Sequence, residues 1–244
     1  MNIVLIGAQG SGKGTQAELL SKVLNVRHIS SGDLFRKAFA EQTELGLQAK
    51  AYIDRGELVP DSLTVSMVLD AIRALHGIQD VMLDGFPRTV EQAQALDQGL
   101  HSIGQHIDNA IYLNVPREEL LQRLSGRLIC RAHQHVYNIY TRPPRVAGIC
   151  DLDGSELYQR SDDTGEAVQR RLDIFFSQTI HILNYYNRQH KLVEVNGNQS
   201  VEQVHAAIMR ELSRYTVPVT ILPSYIGHKP LGGDVDTSHL GYGD

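Results

Sequence analysis

Five short apolar runs, separated by segments with helical periodicity, organise this chain. The apolar runs predict β-strands at residues 2–6, 26–29, 81–84, 110–115 and 192–195. Apolar residues at helical spacing predict α-helices at residues 15–24, 62–75, 90–100, 117–125, 166–188 and 201–215. Strands that alternate with helices are typical of an α/β fold in which a parallel five-stranded sheet has helices on both faces. In such a fold a ligand is expected at the carboxyl ends of the strands.

Two stretches and the C-terminal end interrupt this alternation. Residues 30–60 have helical periodicity but no strand, and residues 127–163 are loop-like, with Pro143, Pro144 and both cysteines. Each stretch lies between core elements, so we expect two insertions above the ligand cleft. The core then consists of residues 1–29, 61–126 and 164–215. The proline and glycine content of residues 216–244 favours a flexible tail, and packing on the core or an added edge strand stays open.

Composition and charge argue against a nucleic-acid-binding, membrane-spanning or disulfide-rich protein. The chain has 244 residues, enough for one substantial core with inserted pieces. A net charge of −5 argues against nucleic acid as the main partner, because duplex-binding proteins usually present a basic face. No apolar run approaches the roughly 20 residues that span a bilayer, and no secretion signal is apparent, so we expect a cytoplasmic protein without a membrane contact. Two cysteines do not make a disulfide framework.

A glycine-rich loop follows the first predicted strand directly. Residues 7–14 read Gly-Ala-Gln-Gly-Ser-Gly-Lys-Gly, and a predicted helix comes next. The glycines allow backbone N–H groups to turn around a small anion, Lys13 adds a positive charge, and the helix directs its positive end at the same place. Because both flanking elements are recognisable, the pattern indicates a phosphate-binding loop of the P-loop type rather than a turn without a ligand.

The position after Lys13 departs from the general motif. Gly14 stands where a Ser or Thr hydroxyl would hold magnesium, and the hydroxyl comes one residue later, at Thr15. We therefore expect Mg²⁺ to keep most of its waters and to be held by phosphates and an outer acid. Asp84, at the end of a buried run, is the candidate acid, and Arg88 can grip a phosphate with two hydrogen bonds. The alternative is a capping Asp and a surface Arg.

An ordered set of motifs resembles the adenylate kinases of the long, bacterial type. The matching stretches, spread over residues 1–213, are residues 7–16, 29–36, 56–61, 84–92, 123–127, 160–163 and Arg171. The resemblance implies magnesium-dependent transfer from ATP to AMP, giving two ADP. It also implies a monomer with a core, an AMP-binding insertion at residues 30–60 (the helical insertion) and a mobile insertion at residues 127–163 (the lid).

The resemblance implies a donor site on the core and the lid. Arg123 would cover the ATP base, and Arg127 would lie near the phosphates. Gln199 would offer backbone groups to the adenine, and Tyr137 would belong to the same site. The ATP phosphates would be held by Gly10, Ser11, Gly12, Lys13, Gly14 and Thr15. Gln9 departs from the usual proline of the family, which removes no phosphate donor.

The resemblance also implies an acceptor site and a set of transfer residues. Arg160 and Arg171 would meet the transferring phosphoryl group, braced by Asp162 and Asp163. The AMP-binding residues would be Ser31, in place of a usual threonine, with Arg36, Leu58, Val59, Gly85, Arg88, Gln92, Arg160 and Arg171. The catalytic residues would be Lys13, Asp84, Arg88, Arg123, Arg160 and Arg171. No general base is expected, because the AMP phosphate is already an anionic nucleophile.

Four residues of the lid have the spacing of a zinc ribbon. Cys130-x2-His133 is followed by Cys150-x2-Asp153, and all four residue types are accepted by Zn²⁺. A structural metal would hold together a segment with almost no core of its own. The alternatives are His135 in place of His133, Asp151 in place of Asp153, or metal-free corners joined by hydrogen bonds, as the family also allows.

Alternative functions stay open beside ATP:AMP transfer. A related nucleoside monophosphate kinase would use GTP as donor or another monophosphate as acceptor. A non-catalytic nucleotide sensor would bind phosphates without transfer, although it would not need the arginines of a transition state. A zinc-stabilised interaction module would leave the phosphate loop without a role.

Overall fold

The computed structural model describes residues 1–75, 79–160, 163 and 165–216. The strands in these residues are β1 (Ile3–Ile6), β2 (Arg27–Ser30), β3 (Val81–Asp84), β4 (Asn109–Asn114), β5 (Arg127–Cys130), β6 (Val136–Asn138), β7 (Leu157–Tyr158) and β8 (Leu192–Asn196). Five of them form a parallel sheet in the order β2-β3-β1-β4-β8. The predicted α/β fold with a parallel five-stranded sheet is confirmed.

Helices cover both faces of this sheet. They are α1 (Lys13–Leu24), α2 (Ser31–Ala40), α3 (Glu44–Asp54), α4 (Asp61–Arg73), α5 (Val90–His101), α6 (Arg117–Ser125), α7 (Gly165–Ile174), α8 (His181–Arg188) and α9 (Val201–Thr216). The prediction of one helix over residues 166–188 is wrong in one respect. A π-helical turn, Phe175–Thr179, separates α7 from α8.

The central strand explains why the sheet reads as continuous apolar runs. Val4 and Ile6 of β1 belong to one buried cluster, which includes side chains of α4, α5, α6 and α7. Ile3 and Leu5 alternate to the opposite face, where side chains of α1 and α9 complete a second cluster. Both faces are therefore buried, as expected for a parallel sheet between two helical layers.

The helical insertion contains α2 and α3, as predicted from its periodicity. Ser30 caps α2 and Thr43 caps α3 through their side-chain oxygens. The two helices pack closely at Gly46, where a Cβ would lie only 2.3 Å from the Ala38 carbonyl carbon. The insertion also contacts α7, because a Cβ at Gly56 would lie 2.8 Å from the carbonyl oxygen of residue 167. The insertion is thus seated beside the core rather than separate from it.

The prediction that residues 127–163 are loop-like is wrong. They contain a small antiparallel sheet in the order β6-β5-β7. Its strands are only two to four residues long, too short to show a period of two in the sequence. The predicted tail lies outside the described residues, apart from residue 216 at the end of α9, and Asp162 also lies outside them. No described helix has both the length and the apolar character needed to span a bilayer.

Candidate functional site

The glycine-rich loop (residues 7–14, the phosphate loop) joins β1 to α1 at the carboxyl end of the sheet. Gly10 and Gly12 have φ angles of 84° and 95°, a left-handed backbone that favours glycine. Gly12 is the N-cap of α1, so the first N–H groups of the helix face the loop. The Ser11 hydroxyl is buried and finds no partner among the described residues. The loop thus combines left-handed glycines, the N-terminal end of a helix and a hydroxyl without a described partner, features that suit a phosphate site.

Lys13 carries the main positive charge of this loop. Its Nζ donates to the carbonyl oxygens of Gly7 at 2.8 Å and Ala8 at 3.0 Å. Burial lowers the pKa of Lys13 to about 8; the Asp84 charge raises this pKa, and nearby guanidinium groups lower it further. The groups that lower it are Arg88, Arg127 and Arg171. The structure therefore brings three predicted site arginines into the electrostatic field of the phosphate loop.

Asp84 ends β3 beside the phosphate loop. A Cβ at Gly14 would lie 3.9 Å from its Oδ2, so the carboxylate faces the first turn of α1. The Nε2 of His28, on β2, lies 3.7 Å from the same oxygen, a contact longer than a hydrogen bond. Burial raises the pKa of Asp84, but His28 and the Lys13 charge outweigh burial and leave the pKa below its ordinary value. An ionised carboxylate at this place fits a hydrated magnesium ion.

A second pocket opens between the helical insertion and the end of β3. Its lining comprises Ser31, Gly32, Phe35, Arg36, Ile53, Gly56, Glu57, Leu58, Val59, Thr64, Gly85, Arg88, Gln92 and Arg171. The Ser31 hydroxyl and Arg88 Nε both donate to the Gly85 carbonyl oxygen, at 2.8 and 2.7 Å. Gly85 has φ 75°, and a Cβ there would lie 2.9 Å from the Ser31 hydroxyl. Glycine is therefore required where Ser31 and Arg88 meet.

Gln92 is buried at the edge of this pocket and is held by two neighbours. Its Oε1 accepts from the Arg88 N–H at 2.7 Å, and its Nε2 donates to Asp61 Oδ1 at 2.7 Å. Asp61 Oδ2 also accepts from the Thr89 hydroxyl at 2.7 Å. This network fixes the orientation of the Gln92 amide before any ligand is present. Its role with the adenine stays a prediction.

The predicted acceptor and donor residues therefore divide between two neighbouring places. Eight of the nine predicted AMP-binding residues line the second pocket. They are Ser31, Arg36, Leu58, Val59, Gly85, Arg88, Gln92 and Arg171. Arg160 lies on the lid side, where its Nη2 donates to Gln134 Oε1 at 2.9 Å. Arg36 is paired with Asp33 in the first turn of α2.

Arg123 connects α6 to the loop after β8. Its Nε donates to Glu119 at 2.8 Å, and its Nη1 and Nη2 donate to the Gly197 carbonyl oxygen at 3.2 Å and to Asn198 Oδ1 at 3.3 Å. The next residue, Gln199, is exposed. The structure thus places Arg123 next to the predicted adenine position of ATP.

Arg127 and Tyr137, both predicted donor residues, lie on the lid strands. Arg127, on β5, pairs through two nitrogens with the buried carboxylate of Asp163. Tyr137, on β6, is buried in a small cluster with Cys130, Cys150 and Leu157. Its hydroxyl accepts from the Asp151 N–H at 2.8 Å, so the ring belongs to the interior of the lid.

The lid brings four possible metal ligands together. The ligand atoms of Cys130, His135, Cys150 and Asp153 lie within 4.8 Å of one another. Tetrahedral zinc bonds of about 2.0–2.3 Å require ligand atoms roughly 3.3–3.8 Å apart, so a small contraction suffices. Hydrogen bonds from Ser155 hold the pKa of Asp153 well below its usual range, which keeps this ligand ionised. Two thiols, an imidazole and a carboxylate form a donor set that fits zinc.

The two candidate histidines differ in position. His135 Nδ1 lies 3.3 Å from both Cys150 Sγ and Asp153 Oδ2. His133 Nδ1 lies 2.8 Å from Asp153 Oδ2, but its side chain is 67% exposed, against 30% for His135. The geometry favours His135 in the group, while Asp151 binds the Arg145 N–H instead. The choice of His133 from the ribbon spacing stays a prediction without support from this grouping.

Sequence reasoning missed several residues of the site. His28 lies two residues before Ser30, on the same face of β2, and Ser30 pairs with Asp84 in the sheet. That spacing is the available signal for the place of His28 beside Asp84. Asp61 was part of a matched motif but received no role, although it orients Gln92. The contact of Gln9 with Asp163, at 2.7 Å, joins residues 154 positions apart, and no local pattern could reveal it.

Comparisons with known proteins show the family of this chain. A family model described as adenylate kinase matches residues 5–191. The adenylate kinase of Carboxydothermus hydrogenoformans is 46% identical over 214 residues, which cover 88% of this chain and 100% of that protein. The adenylate kinase of Streptomyces avermitilis is 46% identical over 88% of this chain and 98% of its own length. That of Staphylococcus aureus is 47% identical over 84% of this chain and 95% of its own length. This chain therefore belongs to the adenylate kinase family.

Proposed function

We propose that this chain catalyses the reversible, magnesium-dependent transfer of a phosphoryl group from ATP to AMP, giving two ADP. One observation carries the proposal: Arg88 and Arg171 line the second pocket and are also close enough to the phosphate loop for their charges to lower the pKa of Lys13. Two phosphate sites that share cations suit a direct transfer between two nucleotides.

ATP occupies the phosphate loop in this proposal. The N–H groups at Gly10, Gly12 and Gly14, with the side chains of Ser11, Lys13 and Thr15, hold its phosphates. Arg123 covers the base beside Gln199, and Arg127 approaches the phosphates from the lid. Tyr137 supports this face of the lid from within.

AMP occupies the second pocket. Arg36 and Arg88 bind its phosphate, and Leu58 and Val59 contact its base. Ser31, Gly85 and Gln92 shape the polar edge of the pocket. The fixed orientation of the Gln92 amide supports this assignment, because a preorganised polar group reduces the entropy that binding costs.

Transfer needs positioning and charge neutralisation. An oxygen of the AMP phosphate attacks the γ-phosphorus of ATP in line with the bond to the β–γ bridging oxygen; that bond breaks, and its electron pair leaves with ADP. No proton has to be removed from the nucleophile. Lys13, Arg88, Arg160 and Arg171 neutralise the oxygens that carry the developing charge. Magnesium, when bound with ATP, neutralises charge on the β- and γ-phosphates, and Asp84 would orient its water.

The two insertions act as covers in this proposal. The helical insertion at residues 30–60 closes over AMP, and the lid at residues 127–163 closes over ATP, while residues 1–29, 61–126 and 164–215 form the core. Closure excludes water, which would otherwise accept the phosphoryl group, and it assembles the arginines. Lid opening or product release then limits turnover. We further propose that the chain works as a monomer in the cytoplasm.

A structural Zn²⁺ ion is proposed for the lid. Cys130, Cys150 and Asp153 would hold it together with one histidine, His135 by the distances given above. The ion would supply only cross-linking of the two turns that carry these residues.

The test is ADP formation by the purified chain with both nucleotides and magnesium. Turnover that requires ATP and AMP together supports the proposal. Faster turnover with GTP or another monophosphate would support a related nucleoside monophosphate kinase instead. Tight binding of ATP and AMP with turnover below about 1 s⁻¹, the low end for kinases, would indicate a sensor.

A further inference from the structure

The side chain of Gln9 connects the phosphate loop to the lid. Its Nε2 donates to Asp163 Oδ1 at 2.7 Å. Asp163 also accepts two hydrogen bonds from Arg127, the first residue of β5. Arg127 begins the first strand of the lid, and Asp163 lies where the chain returns to α7. The Arg127–Asp163 ion pair therefore joins the two chain connections of the lid, and the amide of Gln9 is bonded to the Asp163 member of that pair.

The Asp163 carboxylate depends on these three donors. Its side chain has no exposed surface, whereas that of Arg127 is 17% exposed. A buried carboxylate is costly unless hydrogen bonds replace the water that it has lost. Removing the Gln9 donor would leave Asp163 with Arg127 alone and would loosen the orientation of the pair.

The guanidinium group of Arg127 shares the Asp163 carboxylate with Gln9 of the phosphate loop. It is one of the cations that lower the pKa of Lys13, so it lies within electrostatic reach of the phosphate loop. A group that holds the Arg127–Asp163 pair in place therefore also holds a cation where the ATP phosphates would bind.

The side-chain contact of Gln9 is with a carboxylate of the lid connection. One N–H of its Nε2 is used by Asp163, and its Oε1 is buried without a partner among the described residues. A carbonyl oxygen cannot donate to phosphate oxygens, which are acceptors. The hydrogen bond of the side chain is with Asp163, so we take its action to pass through that carboxylate.

We propose that Gln9 is a positioning residue that holds Arg127 at the phosphate loop through Asp163, and so strengthens binding of ATP without affecting AMP. This inference rests on the proposed function. It adds a role for a residue whose side-chain contact is with Asp163.

The test compares Gln9→Leu and Gln9→Glu with the wild type. Leu removes the donor, and Glu, of similar size, replaces it with a charge of the same sign as Asp163. Gln94→Leu, the same change at an exposed position of α5, is the matched control. For Gln9→Leu we expect the KM for ATP to rise about tenfold, the loss typical of a hydrogen bond to a charged group, with kcat and the KM for AMP within about twofold. Gln9→Glu should raise the KM for ATP further.

Two further measurements separate the inference from a purely structural role and from the proposed function. Amide hydrogen exchange should become faster in β5 of both variants and stay unchanged in β4. An unchanged KM for ATP, or an equal rise for both nucleotides, would overturn the inference. A wild-type chain that forms no ADP would refute the proposed function instead; calorimetric ATP binding to the same variants would then still test Gln9.

Discussion

The core and the lid of this chain are stabilised in different ways. The core has two apolar clusters, one on each face of the parallel sheet, with side chains such as Leu96 and Ile111 fully buried. The apolar cluster in the described part of the lid consists of Cys130, Tyr137, Cys150 and Leu157. Several other large apolar side chains of the lid, including Leu152 at 66%, are exposed. The stability of the lid therefore depends on short paired strands and on contacts among its four possible metal ligands, whereas that of the core depends on buried apolar side chains.

This difference suits the roles that we propose for the two regions, phosphate binding by the core and covering of ATP by the lid. A phosphate loop must keep its N–H groups in place, and a sheet that is buried on both faces provides that rigidity. A cover must open in each turnover, and a segment with few buried contacts opens at low cost in free energy. The hydrogen bonds of Arg127 and Gln9 to Asp163 join the two regions.

The largest expected effect comes from removing a shared cation of the core. Arg88→Ala should lower kcat by about 10³-fold or more, because it removes a group that we propose neutralises the transferring phosphoryl group. Initial rates of ADP formation measure this effect. The proposed zinc site of the lid should not be affected, since Arg88 lies outside the lid.

Arg73→Ala is the matched control for that variant. Arg73 is exposed on α4, and its Nη1 pairs with Asp70 at 3.1 Å. Surface ion pairs contribute little, so its turnover should match that of the wild type. If Arg88→Ala retained near-normal turnover, Arg88 would have no catalytic role.

The second prediction compares truncations of one leucine in each region. Leu96→Ala, at a fully buried position of α5, should lower the free energy of unfolding by about 2–5 kcal/mol. Leu157→Ala, in the lid, should lower it by less than about 1 kcal/mol, because the lid can open before the core unfolds. Denaturant titration followed by circular dichroism measures both. Equal losses would mean that the lid and the core unfold as one unit.

The same contrast explains what the sequence predicts. The core strands are short apolar runs between helical segments, and the structure confirms all five. In the lid, β5, β6 and β7 have two to four residues each, and their pairing depends on contacts between distant residues. Local periodicity carries no signal for such a sheet, so the sequence predicts a loop there. The π-helical turn at Phe175–Thr179 also lacks a local signal, because its apolar spacing continues that of α7.

The candidate site shows the same limit. The phosphate loop and Asp84 were predicted because glycine spacing and strand ends have direct geometric meaning. The preference for His135 over His133 depends on the conformation of the turn between β5 and β6, which ribbon spacing does not encode. Contacts such as that of Gln9 with Asp163 arise only when the lid and the core are placed together.

The third prediction concerns the metal of the lid. His135→Ala should lose stoichiometric zinc, and His133→Ala should retain it, because only His135 lies within the group of ligand atoms. Elemental analysis after purification without chelator measures the difference. Chelation of the wild type should speed amide exchange in β5 and β6 and leave β1 and β4 unchanged, since the metal acts within the lid.

Two outcomes would contradict this prediction. Loss of zinc from His133→Ala alone would mean that His133, as the ribbon spacing predicts, is the ligand and that His135 is not. A wild-type chain without metal, and with a melting temperature that a chelator leaves unchanged, would mean that hydrogen bonds join the four corners.

The smallest expected effect is a pH dependence that reports on both regions. Lys13 must be protonated to bind phosphate, and burial lowers its pKa from 10.5 to about 8. As the pH rises through this value, the free enzyme loses the charge. We therefore expect kcat/KM for ATP to be constant from pH 7 to about 8 and to fall about tenfold per unit above it. Steady-state rates at saturating AMP measure it.

The lid should influence this pH dependence through Arg127. Its charge is one of those that lower the pKa of Lys13, so Arg127→Met should move the fall in kcat/KM for ATP to higher pH. Measured at saturating ATP, kcat/KM for AMP should show no fall near pH 8, because bound phosphates keep Lys13 protonated. A fall at the same pH for both nucleotides would mean that another group titrates. An unchanged pH dependence in Arg127→Met would mean that the lid is open in the free enzyme, with Arg127 far from Lys13.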